Sequence, residues 1–443
     1  MTFGEYWHNQ LTVKQVSSNH HLQFKNKQGK IIDFTKFIDT NIPEFKTGAS
    51  DYLSPVLFNG HIQTCFTTVK KFEDIDEVNY RRFMIKYPDG GEGALDMVVS
   101  EHKPSSYIPI TQLPFQPPLD THYSYGEKNE ALLKSEDTKP MLVALHGLTG
   151  GSHESYVRSI VARLTEKYDF EACVLNSRGC CQSQITTPQL YNGGWTNDIS
   201  FVMNLLFNMY PNRSFYMIGF SLGASILTNY IGEQNHKISD RVKCAMVFGN
   251  PWDMLRSDYY LNCSRMGSNI YSPALTRNVV NLVKRHATAL HEKPGFQEIY
   301  DKHINVVKTA NGFDDVFTGP MFNYKDSKDY YGDASSFKRL AGVRVPLIGL
   351  NAMDDPIAGG DNLPEKYIMA NPYTMLIETN LGGHLAWFKD LNGSRWYSEP
   401  VGRFFSLFHK EITSKGYKPT VSEDQLPHEK VVNVKTTIEQ PHE

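Results

Sequence analysis

Apolar residues along the chain change their spacing in a regular order. Continuous apolar runs at 141–145, 170–175, 214–218 and 243–248 predict buried strands. Between the first of these, Val157, Ile160, Val161 and Leu164 recur at i, i+3, i+4 and i+7, and Ile199, Val202, Met203 and Leu206 repeat the interval. That is the spacing of a helix with one buried face. A third helical stretch follows at 224–231, with Leu227, Tyr230 and Ile231 in register and Gly232 placed to end it. The rhythm returns with strands at 345–350 and 373–378. Strands alternating with helices predict right-handed crossovers and a mostly parallel central sheet flanked by helices, an α/β fold.

Two interruptions frame this core. Residues 251–340 break the alternation with helical patterns alone, such as Leu275, Val279, Leu282 and Leu290. They read as a helical cap inserted over the C-terminal edge of the strands, where such sheets bind ligands. Strands at 80–87 and 94–100 flank the turn Pro88-Asp89-Gly90-Gly91, and 103–139, rich in Pro, Ser and charge, reads as a long loop. The expected organisation is an N-terminal extension over 1–70 without clear periodicity, a main domain over 71–415 that carries the cap, and a loose polar tail over 416–443.

Composition narrows the class. In 443 residues, 40% are hydrophobic, enough for a large core, and a net charge of −3 offers no basic field for nucleic acid. No window holds a membrane-spanning apolar run, and the N-terminus lacks a basic stretch followed by an apolar one. The six cysteines show no C-x-x-C spacing, which points to buried reduced thiols and an intracellular, cytoplasmic protein. No cofactor or metal is expected.

The chemistry gathers at strand ends. Gly219-Phe220-Ser221-Leu222-Gly223 lies between the strand at 214–218 and the helix after it. A G-x-S-x-G at a strand–turn–helix junction is a nucleophile elbow. A serine hydroxyl needs an imidazole to take its proton, and the imidazole a carboxylate to fix its tautomer. After the strand at 345–350 come Asp354-Asp355-Pro356; after 373–378 come Gly382-Gly383-His384. This is the expected order of serine, acid and base. Pro356 biases Asp355 toward an extended backbone, making Asp355 the acid and leaving Asp354 to cap the turn. An oxyanion hole would use the Leu222 N–H and a second N–H from "LHGLTGGSHESY", that of Leu148 or Thr149, with Leu148 preferred. His146 reads as a brace of that loop and Arg178 as an anchor of the next one. Cys180 and Cys181 have no base positioned by the sequence, so neither reads as a nucleophile.

Seven segments together, "NGHIQT", "HGLTGGSHESYVR", "NSRGC", "GFSLGA", "NPWD", "DDP" and "GGH", resemble the AB-hydrolase 4 branch of the α/β-hydrolases. The branch includes YheT-like esterases, plant embryogenesis-associated hydrolases and yeast medium-chain fatty acid ethyl ester synthase/esterases. The resemblance covers roughly residues 45–412. It implies an α/β-hydrolase fold, Ser221 as nucleophile, Asp355 as acid, His384 as base, and hydrolysis of a lipid ester, a monoacylglycerol or a medium-chain fatty ester. Transfer of the acyl group to an alcohol is the sister reading; a non-catalytic lipid carrier is the rival from another class. No histidine is followed five positions later by aspartate, since Lys389 holds that place after His384, which departs from one acyltransferase signature. Contact with membranes or lipid droplets is expected to be peripheral, with Lys389, Arg395, Trp396 and Tyr397 as an interface cluster.

Overall fold

The computed structural model describes residues 9–100, 121–123, 134–361 and 363–438. Most of the predicted loop at 103–139 lies outside them. In chain order the strands are β1 (Gln10–Ser17), β2 (Gln23–Lys25), β3 (Ile31–Asp33), β4 (Ser50–Tyr52), β5 (Asn79–Lys86), β6 (Glu92–Val99), β7 (Thr121–Tyr123), β8 (Met141–Leu145), β9 (Glu171–Asn176), β10 (Phe215–Phe220), β11 (Val242–Phe248), β12 (Leu347–Ala352), β13 (Thr374–Thr379) and β14 (Lys418–Thr420). Eleven of them form one sheet in the order β4-β1-β13-β12-β11-β10-β8-β9-β6-β5-β7.

The six strands from β13 to β9 in that order run parallel. Helices on both faces cover a parallel sheet, so its strands are apolar without alternation. Every residue of β8, β10, β12 and β13 is buried. The predicted helices form at Ser155–Lys167, Asn197–Met209 and Leu222–Gln234. The last runs past Gly232, which was expected to stop it. There the missing side chain admits the backbone of the 336–342 turn: a Cβ on Gly232 would sit 2.2 Å from the Arg339 carbonyl oxygen.

The N-terminal segment joins the core. β1 pairs antiparallel with β13, Val13 opposite Thr379, and its Gln10–Lys14 half alternates exposed and buried residues as an antiparallel strand with one solvated face should. A helix over Gly60–Val69, capped by the Asn59 side chain on the Ile62 N–H, packs beside the loop after β13. Between β11 and β12, helices at Met254–Cys263, Ser272–Arg285, Phe296–His303 and Ser327–Ala334 build a second apolar cluster around Val283, Leu290, Phe296 and Phe317.

Two expectations fail here. The C-terminal segment is not loose over 418–438. β14 pairs with β2, Val434 is buried against Gly194, and its N–H donates to Glu233 at 2.6 Å. A polar sequence hides this because the carboxylate that receives it lies on a distant helix. The second failure concerns three of the four residues of the supposed interface cluster, Lys389 alone being exposed and paired with Asp51. Arg395, Trp396 and Tyr397 are buried; the Arg395 guanidinium lies over the Phe388 ring at 4.6 Å and donates to Ser155 at 2.8 Å. Charge beside aromatics in a sequence is equally the signature of a buried cation–π contact.

One buried ion pair fixes the edge of the sheet nearest the loop after β8. Arg82 on β5 faces Asp96 on β6, both fully buried, with two hydrogen bonds of 2.6 Å. Asp96 also accepts from the Ser152 hydroxyl and the Asn176 amide. Arg82→Met should leave Asp96 uncompensated and cost about 3–5 kcal/mol. A urea melt of the variant against the wild type reads this directly, and a shift under 1 kcal/mol would count against it.

Candidate active site

β10 ends at the serine. Ser221 has φ 52° and ψ −117°, a strained backbone that a sharp strand-to-helix turn imposes. The glycines on either side allow it. A Cβ on Gly219 would come within 2.6 Å of the Gly223 carbonyl oxygen, and one on Gly223 within 2.4 Å of that of His146. The turn therefore presents Ser221 Oγ above the sheet edge, with the Leu222 N–H at the first turn of a helix, whose early N–H groups have no intrahelical acceptor.

The loops after β12 and β13 bring the other two groups. His384 Nε2 lies 2.9 Å from Ser221 Oγ, and His384 Nδ1 lies 2.8 Å from Asp355 Oδ2. A carboxylate accepts, so Nδ1 carries the imidazole proton and Nε2 is left to accept from the serine hydroxyl. Asp355 is held in turn: its Oδ1 accepts from the Ile357 N–H at 2.8 Å and the Ala358 N–H at 2.9 Å. Ser221, Asp355 and His384, chosen from chain order, stand in one hydrogen-bonded line.

The loop after β8 faces the same point. His146 Nδ1 donates to the Gly147 carbonyl at 2.6 Å and its Nε2 accepts from the Ser177 N–H at 3.0 Å, so it braces the loop. Burial pushes its pKa down to about 4, which keeps the imidazole neutral. Of the two N–H groups weighed for the oxyanion, that of Thr149 donates to Tyr191 Oη at 2.9 Å, and that of Leu148 has no partner among the described residues. Arg178 bonds Asp198 and Asp89 and lies over the Tyr87 ring, an anchor for the loop after β9.

A group of residues with no role in the sequence reading proves essential to the geometry. The His384 N–H donates to Thr64 Oγ1 at 2.9 Å, and Thr64 donates to the Gly60 carbonyl at 2.6 Å. Gln63 accepts from the Phe388 N–H at 2.8 Å and donates to the Leu57 carbonyl. Gly60 abuts Asp354; a Cβ there would sit 1.9 Å from the Asp354 carbonyl oxygen. The "NGHIQT" segment thus cradles the histidine loop. Its helix N-cap was the available signal, since an Asn-Gly start fixes which residues of the first turns face inward.

Asp354 accepts from the Gly383 N–H at 2.9 Å, and its Oδ2 has no hydrogen-bond partner among the described residues. Burial drives its carboxyl up, the Gly383 hydrogen bond opposes, and the Asp355 charge adds to the rise, bringing it to about 7. A carboxyl whose folded pKa is raised stabilises the fold below its unfolded pKa and loses that contribution as pH climbs through the folded value. Asp354→Asn should therefore flatten the decline in stability between about pH 4 and 7, read from thermal melts across that range. A slope equal to that of the wild type would refute it.

Ser221 opens into a cavity of about 180 Å³. Leu148, Thr149 and Leu222 line it from the core, and Leu275, Val279 and Leu282 from the inserted helices. Its wall is mostly aliphatic and aromatic, suited to a hydrocarbon chain.

Residues 140–390 match the α/β hydrolase fold family, and the chain belongs to it. It is a serine ester hydrolase. Among its relatives, the monoacylglycerol lipase of Saccharomyces cerevisiae is 48% identical, with 99% of each chain covered. The medium-chain fatty acid ethyl ester synthase/esterase 2 of the same yeast is 31% identical over 88% of this chain and 92% of its own. The esterase Pf2001 of Pyrococcus furiosus aligns with a TM-score of 0.44 at 11% identity, over 77% of this chain and 95% of that one. No helix among the described residues is long and apolar enough to cross a membrane.

Proposed function

We propose that the protein hydrolyses monoacylglycerols or medium-chain fatty esters through an acyl-enzyme on Ser221. The observation that carries this reading is the hydrogen-bonded line of Ser221, His384 and Asp355 opening into an apolar cavity. Ser221 Oγ attacks the ester carbonyl while His384 Nε2 takes its proton. Asp355 holds the imidazole in the required tautomer and stabilises its charge. The N–H groups of Leu222 and Leu148 receive the oxyanion, Leu148 being favoured because Tyr191 occupies its neighbour. His384 then protonates the departing glycerol or alcohol, and water, activated by the same imidazole, releases the fatty acid.

An alcohol in place of water would give acyl transfer through the same intermediate. The 48% identity to a lipase, against 31% to a synthase/esterase, favours water. Contact with lipid surfaces is part of the proposal and falls to the inserted helices. Leu255 and Tyr259 are exposed on the Met254–Cys263 helix, whose Leu261 lines the cavity. The test is product analysis of purified protein with medium- and long-chain monoacylglycerols, with and without ethanol, beside labelling by a fluorophosphonate. Free fatty acid and labelling at Ser221 support the reading; an unlabelled Ser221 would return the protein to the carrier class.

The cavity wall makes a further prediction. Val279→Phe adds bulk where an acyl chain would lie, so kcat/KM for long chains should fall about tenfold or more relative to medium ones. Equal losses for both chain lengths would place Val279 outside the acyl path.

A further inference from the structure

Cys181 lies outside the proposed mechanism, yet the fold gives it the base its sequence context lacks. Its Sγ is 3.3 Å from His153 Nδ1, 3.2 Å from Arg82 Nη2 and 3.5 Å from Ser152 Oγ. Arg82 is paired with Asp96, and His153 stands 3.6 Å from Glu154, so these are the charges that face the sulfur. We infer that Cys181 and His153 form a second reactive centre, a thiol site for small peroxides whose oxidation disables the esterase. Burial alone would push the thiol up, but the Arg82 and His153 charges outweigh it and bring Cys181 down to about 7. The sulfur is buried, but His153, which contacts it, has a side chain 24% exposed, and a peroxide is little larger than water.

The consequence follows from what the sulfur touches. A Cβ on Gly151 would lie 2.3 Å from Cys181 Cβ and 2.8 Å from Sγ, so the loop after β8 rests directly on this side chain. The adjacent Cys180 lies 3.2 Å from Tyr191 Oη, the same hydroxyl that holds the Thr149 N–H. Cys181 thus touches the loop that carries Leu148 directly, and Cys180 is linked to it through the Tyr191 hydroxyl. An oxygen added to Sγ would press on Gly151, Ser152 and His153 and push that loop aside.

The chemistry is self-contained with hydrogen peroxide as oxidant. The thiolate attacks one peroxide oxygen, an S–O bond forms and the O–O bond breaks. The leaving hydroxide takes the proton of the His153 imidazolium and departs as water. Sulfur loses two electrons, the peroxide gains them, and Cys181 becomes a sulfenic acid.

The experiment treats the purified protein with hydrogen peroxide, traps sulfenic acid with dimedone and maps the adduct by peptide mass spectrometry. Ester hydrolysis is followed in parallel. A dimedone adduct at Cys181 is expected. Complete modification should cut turnover on the order of a hundredfold, the usual cost of losing an oxyanion donor, with recovery in dithiothreitol. Cys181→Ser should keep its activity at the same dose. His153→Asn should hydrolyse normally before treatment and react roughly tenfold more slowly. Absence of the adduct, an adduct with unchanged turnover, or equal inactivation of Cys181→Ser overturns the inference. If Cys181→Ser does not fold, an unslowed His153→Asn overturns it equally. The loss of turnover rests on the proposed role of the loop after β8, but the adduct does not. Fluorophosphonate labelling of untreated protein tests the first reading separately.

Discussion

Ser221→Ala is expected to lose on the order of 10⁶ in kcat, because the nucleophile and its base act as one unit. The change removes the Oγ that His384 Nε2 contacts at 2.9 Å and touches little else. The strained φ of 52° at this position belongs to the turn, enforced by Gly219 and Gly223, so the backbone should keep it. The melting temperature should accordingly stay within a few degrees of the wild type. Kinetics with a chromogenic ester, a thermal melt and fluorophosphonate labelling on one preparation provide the check. Residual activity of even a hundredth would mean that another group starts the reaction.

Asp355→Asn should cost about 10⁴ in kcat, and the reason is orientation rather than charge alone. Asp355 Oδ1 accepts two backbone N–H groups, from Ile357 and Ala358. An asparagine keeps those bonds only by placing its carbonyl oxygen there, which turns its NH₂ toward His384 Nδ1. The imidazole must then accept at Nδ1 and carry its proton on Nε2, aimed at Ser221, where it cannot act as a base. Steady-state kinetics on Asp355→Asn beside Asp354→Asn distinguishes the two neighbours. Near-normal turnover of Asp355→Asn with a dead Asp354→Asn would exchange their roles.

The parallel strands were legible because burial on both faces leaves an uninterrupted apolar run, and strands β8 to β13 all announce themselves this way. Ser221, Asp355 and His384 were legible because chain order in this architecture constrains which loop carries each group. What stayed hidden depends on partners distant in sequence. β1 reads as a mixed segment until β13 is beside it. Thr64 is an ordinary helical threonine until the His384 N–H reaches its hydroxyl. Trp396 and Tyr397 suggest a surface belt only if their burial is ignored. His153 and Cys181, likewise, meet through two loops that no local pattern connects.

The pairing of β1 with β13 also sets a schedule for synthesis. Residue 13 leaves the ribosome about 360 residues before its partner at 379, which at 5–20 residues per second is roughly 20–70 s of waiting. During that interval β1 has only the short β4 beside it and the side that β13 will take stays unpaired, a condition that invites association with other nascent chains. Its sequence, QLTVKQVS, suits the delay: Leu11, Val13 and Val16 are separated by polar residues, and Lys14 interrupts the one stretch that could zip onto a neighbour. The lysine that guards the unpaired strand then settles against Glu378 at 3.1 Å once β13 arrives. The last parallel strand of this sheet to be made, and the histidine loop that follows it, are thus locked by a segment translated about 360 residues earlier.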